Sequence, residues 1–124
     1  MNIWENVKKT SAPNAHGEVN FFRIEEGSVD ENLLSDFDPD ENGFVVGHSE
    51  SGHHHLLERE GVTMKKHTDS RGFQILHAIV TKPVALRQDT SDPHKTQIVE
   101  PGEYLITNNV EVDPFTKQAR RVAD

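Results

Sequence analysis

Turn-forming clusters recur along this chain at short intervals. The stretches between them alternate apolar and polar residues with period two, so short strands explain it better than helices. The separators are Asp40-Glu41-Asn42-Gly43, Ser49-Glu50-Ser51-Gly52, Glu60-Gly61, Asp69-Ser70-Arg71-Gly72, Ser91-Asp92-Pro93 and Glu100-Pro101-Gly102. Each offers Gly, Pro, Asn or Asp where a turn needs positive φ, fixed φ or a local side-chain acceptor. Strands are expected near residues 18–24, 43–48, 53–58, 62–66, 72–81, 84–88, 96–100 and 103–112. About eight strands at such spacing predict an all-β fold, a small β-sandwich or jelly-roll-like barrel. Phe73 to Val80 is apolar on both faces, which predicts a central strand.

With 124 residues the chain suits a single domain, read as an N-terminal arm over 1–17 and a β domain over 18–124. The arm is expected to be anchored only by Ile3 and Trp4. At most one short helix is expected, capped by Ser28, because Glu31 three residues on completes a capping-box spacing. Hydrophobic residues amount to 33%, so the core must be lean and several short strands must end as edges. A homo-oligomer is the expected remedy.

Charge and composition exclude several functions. No Lys or Arg occurs between Ile24 and Glu58, and the net charge is -8, which argues against nucleic acid as a partner. No apolar run approaches a membrane span, and the N-terminus lacks the basic and apolar blocks of a signal peptide, so a cytoplasmic product is expected. There are no Cys residues, so disulfides, thiol catalysis and zinc ribbons are out, and metal ligands must be His, Asp or Glu. There is no Gly-rich phosphate loop and no Gly-x-Ser-x-Gly elbow. Asp38-Pro39-Asp40-Glu41-Asn42-Gly43 opens like a calcium loop but lacks the closing acid.

The chemical clue is histidine, with 8 in the chain and four of them between His48 and His55. If Val45 to His48 and His53 to Leu57 pair across the Ser-Glu-Ser-Gly turn, His48 lies opposite His53 and shares a face with His55. Three imidazoles would then converge within about 5 to 7 Å, which suits a divalent cation. His94 or Glu60 would complete the site. The ion would be a transition metal such as zinc, nickel, iron or manganese. Catalysis would further need an open coordination position and a base, for which Glu50 is nearest. The alternative is an exposed polar hairpin used as a contact surface. His77 lies among Phe73, Ile75 and Ile79 and reads as a buried histidine satisfied by one hydrogen bond. His16 and His67 sit in polar contexts and carry no argument.

Two resemblances follow from these residues. Gly47, His53-His54-His55 and Glu60 resemble the first half of the cupin metal motif. Glu100-Pro101-Gly102-Glu103-Tyr104 resembles the Pro-Gly turn of its second half, but no ligating His follows, which leaves that place to His94. More of the chain resembles a group of small proteins, without assigned activity, from bacterial chromosomes and phage or prophage genomes. That likeness rests on Val45-Val46-Gly47-His48-Ser49-Glu50-Ser51-Gly52-His53-His54-His55, Lys82-Pro83-Val84-Ala85-Leu86, Asp92-Pro93-His94 and Glu100-Pro101-Gly102. It implies His48, Glu50, His53, His54, His55 and His94 as motif positions, and a phage accessory or virion protein as an alternative role. The acidic stretch from Ser28 to Asp40 and the arm depart from that pattern.

Overall fold

The computed structural model describes residues 3–5, 7–10, 14–16, 19–48, 54–88 and 96–108. Ten strands form there: β1 (Asn14–His16), β2 (Val19–Ile24), β3 (Ser35–Asp36), β4 (Phe44–His48), β5 (His54–Leu57), β6 (Val62–Thr68), β7 (Gln74–Val80), β8 (Val84–Gln88), β9 (Gln97–Val99) and β10 (Gly102–Asn108). They make two antiparallel sheets, one in the order β1-β2-β10-β7-β6-β3 and one in the order β4-β5-β8-β9. The fold is all-β, and of the two expected forms it is the sandwich.

The reason lies in the alternation along the strands. Leu76, Ala78 and Val80 on β7 and Tyr104 and Ile106 on β10 meet Phe44, Leu57, Val84, Leu86 and Val99 of the smaller sheet in one buried cluster. β7 lies between β10 and β6, as its two apolar faces demand. Its other face carries Ile75, buried with Ile24, Leu105, Val29 and Ile3 in a second cluster outside the sandwich. A 33% hydrophobic chain thus builds two small cores, one on each side of the larger sheet.

The cover of that second core comes from segments that are hard to read in sequence. The Lys8 carbonyl accepts from Glu25 N–H at 2.7 Å, and Thr10 N–H donates to the Arg23 carbonyl at 2.9 Å, so the N-terminal segment lies along β2. β1 then pairs with β2. Ile3 is 1% exposed. The helix is a single 3-10 turn, Glu31–Leu33, capped by Asp30 and not by Ser28. The Asp30 carboxylate accepts from Asn32 N–H at 3.0 Å, whereas the Ser28 hydroxyl donates to the Glu25 carbonyl at 2.7 Å. The shorter Asx arrangement takes the cap, because only one turn of chain follows before β3.

One glycine is set by close approach. A Cβ at Gly47 would fall inside the van der Waals surface of Val19 Cγ2, with Asn108 Nδ2 at 3.3 Å and His55 Cδ2 at 3.7 Å. Val19 is β-branched and fully buried, so it has no room to yield. Gly47→Ala is therefore expected to lower stability by about 1–3 kcal/mol, the usual cost of overpacking, read as a shift in the urea midpoint.

Candidate functional site

The β4–β5 hairpin carries the histidine motif, and its register decides what the motif can do. Phe44 pairs with Leu57 and Val45 with Leu56, but the register then shifts, so that Gly47 pairs with His55 and His48 with His54. Val46, buried in the main core, is the extra residue of a β-bulge. Without it His48 would have met His53, as the alternation argument supposed. A shift of one residue exchanges the faces of a strand. Position 48 is consequently the Cα partner of position 54, and position 55 that of Gly47.

Of the five residues expected as ligands, only His55 and Glu60 have described side chains. His55 is 1% exposed, at the end of the main core beside Gly47. Glu60 lies beyond the other end of β5, where its carboxylate accepts from Lys82 Nζ at 2.8 Å. The Lys82 ammonium holds Glu60 below the ordinary carboxylate range, by its hydrogen bond first and its charge second. Both side chains are largely exposed, so the pair adds little stability. His53, His94 and Glu50 lie outside the described residues, as does the side chain of His48. Among the described residues no three His, Asp or Glu side chains stand close enough to hold a metal ion. The Asp40 loop shows what its acid does: the carboxylate accepts from Asn42 N–H at 2.7 Å and from Gly43 N–H at 3.1 Å.

His77 is where the sequence places it, buried at mid-strand. Its Nε2 stands 2.7 Å from Glu103 Oε2, and both side chains are under a tenth exposed. The other Glu103 oxygen accepts from Gly27 N–H at 3.1 Å. Both carboxylate oxygens are thereby satisfied, as a buried acid requires. Nearby on β10, the Tyr104 hydroxyl donates to the Glu100 carbonyl at 2.6 Å. Burial pushes the Tyr104 phenol above its ordinary range, against the opposing charge of Arg23, so it remains a donor.

Two clefts open on the outer side of the larger sheet. One, of about 840 Å³, is lined by Arg23, Glu25, Glu26, Ile79 and Glu103 among others. The second, of about 550 Å³, lies between the N-terminal turn and the β6–β7 turn and is lined by Ile3, Trp4, Leu33, His67, Arg71 and Ile75 among others. His67 was missed in the sequence because its neighbours Lys65, Lys66 and Thr68 are polar, yet it is 8% exposed. It faces the same side as Ile75, its register partner on β7. The signal that could have found it is the pairing of His67 with an apolar strand position.

The β6–β7 turn is tied together by one carboxylate. Asp69 Oδ1 accepts from Arg71 N–H at 2.9 Å and Phe73 N–H at 3.0 Å, and Oδ2 accepts from Arg71 Nη2 at 3.0 Å. Desolvation raises the Asp69 pKa, but the Phe73 and Arg71 hydrogen bonds and the Arg71 charge outweigh it and hold the acid below its ordinary range.

Among the described residues no helix is long and apolar enough to cross a membrane. No curated protein and no solved structure matches the chain. Residues 15–109 match a domain of unknown function (DUF8820), well over half the chain, and the protein belongs to that family.

Proposed function

We propose that this domain is a binding module that holds a divalent transition metal (zinc, nickel, iron or manganese) at the tip of the β4–β5 hairpin. The observation that carries the reading is the register of His48 with His54, next to a connection that contains Glu50 and His53. Register partners in an antiparallel pair lie about 4.5–5.5 Å apart, which suits two imidazoles on one ion. His48 and His54 are then the strand ligands, and His53, Glu50 or His94 completes the set. His55, enclosed in the core, has a packing role, and Glu60 is committed to Lys82.

The test is the melting temperature of untagged protein with and without zinc or nickel. A metal bound by the folded state alone raises it by mass action. His54→Ala should remove that rise, whereas His55→Ala should lower the melting temperature with or without metal. A rise that survives His54→Ala would overturn the assignment.

A second reading is an interaction module without catalysis, such as a phage accessory or virion protein, or a cytoplasmic protein that pairs with its own copy. It is favoured by Ile98, 56% exposed on β9, an edge strand of the sheet that also bears the histidine hairpin. No metal-dependent rise, together with a dimer in light scattering, would favour this reading over the first.

A further inference from the structure

We propose that the cleft between the N-terminal turn and the β6–β7 turn binds a small aromatic anion that carries a hydroxyl or N–H donor. His67, on β6, lines this cleft. Its Nδ1 lies 3.0 Å from the Leu33 carbonyl, which can only accept, so Nδ1 bears the proton and Nε2 of the neutral ring is an acceptor. That Nε2 is buried and has no hydrogen-bond partner. Buried polar atoms without partners are uncommon in folded chains, and one in the wall of a cleft points to a ligand group that completes it. An acceptor calls for a donor, here an N–H or O–H of the ligand. Because Nε2 itself is covered, the donor reaches it through a shift of the cleft wall, of which half-buried Trp4 is the aromatic part.

The rest of the lining specifies the remainder of the molecule. Trp4, Leu33 and Ile75 provide an apolar, partly aromatic surface for a flat ring. The Arg71 guanidinium at the rim is about half exposed, and although Asp69 takes two of its N–H groups, its fork has donors to spare. Lys9 Nζ stands 5.4 Å from the Trp4 ring centroid. Lys9 stands over the Trp4–Phe22 pair outside the lining, so Arg71 is the cation the lining supplies, and because the Asp69 carboxylate takes only part of its fork, its remaining donors favour an anionic group on the ligand. A volume of about 550 Å³ lies in the range of small-molecule sites.

The test uses the full chain, 4-hydroxybenzoate as ligand, and 4-methoxybenzoate and benzoate as controls, followed by NMR. The hydroxy compound should shift the Trp4 indole signal and the His67 Nε2 nitrogen with saturation. Blocking or removing the donor should weaken binding at least tenfold, and Arg71→Ala should weaken all three acids. His67→Phe should reduce the hydroxy compound to the level of benzoate, and if that variant does not fold, the comparison of the three acids on the unaltered chain decides. Equal binding of the three acids, shifts confined to other residues, or no shift at 20 mM would overturn the proposal, whatever the outcome for metal at the hairpin.

Discussion

Glu103→Leu is expected to lower stability by about 1–3 kcal/mol, the usual cost of leaving a buried hydrogen-bonding group without its partner. The substitution leaves the buried His77 Nε2 without the partner it has at 2.7 Å, whereas exposed Gly27 N–H, which donates to Glu103 at 3.1 Å, can turn to water. Small domains have only about 5–15 kcal/mol in total, so the loss is a large share of the whole. With a urea slope of about 1–3 kcal/mol per molar, the midpoint should fall by about 0.3 M or more. The double change His77→Leu with Glu103→Leu should recover much of it, because replacing both partners of a buried hydrogen bond by apolar groups of similar shape is nearly neutral. A single variant within about 0.5 kcal/mol of the parent, the range of ordinary surface substitutions, would show that the pair is not buried as described.

Ile3→Ala is expected to cost about 2–5 kcal/mol, as truncation of a buried aliphatic side chain does. Ile3 is 1% exposed and packs with Ile24, Val29, Ile75 and Leu105 on the outer side of the larger sheet. The change should also speed hydrogen exchange at Glu25 and Thr10, whose N–H groups bond to or from the N-terminal segment. An effect within about 0.5 kcal/mol, with exchange at both amides unchanged, would mean that the segment does not cover the second core.

Why an apparent arm should matter so much shows how far local pattern reaches. Val84–Gln88 was legible to the residue, and β7 was legible as a central strand, because alternation and turn chemistry are local signals. The segment before Gly17 carries no such pattern, since its hydrogen bonds are to β2 and Ile3 finds its neighbours on β2, β7 and β10. His67 escaped for the same reason: its burial comes from the far side of the sheet, where Leu33 and the N-terminal turn lie, and not from the strand it belongs to. The register of the histidine hairpin was hidden for a different reason. Its strands were foreseen within a residue, but Val46 adds one position to one strand only, and no period-two pattern records which residue of a Val-Val pair is the extra one. That single insertion makes His54 the register partner of His48. For His77, the local reading of a buried and satisfied histidine was sufficient, although its partner Glu103 comes from a strand 26 residues away.

The most direct test of the metal reading is elemental analysis of untagged protein, beside a His48→Ala, His54→Ala double variant purified identically. One equivalent of a transition metal per chain in the first and none in the second is the predicted result. Metal-free protein that takes up no zinc or nickel on dialysis, or equal metal in both preparations, would contradict it.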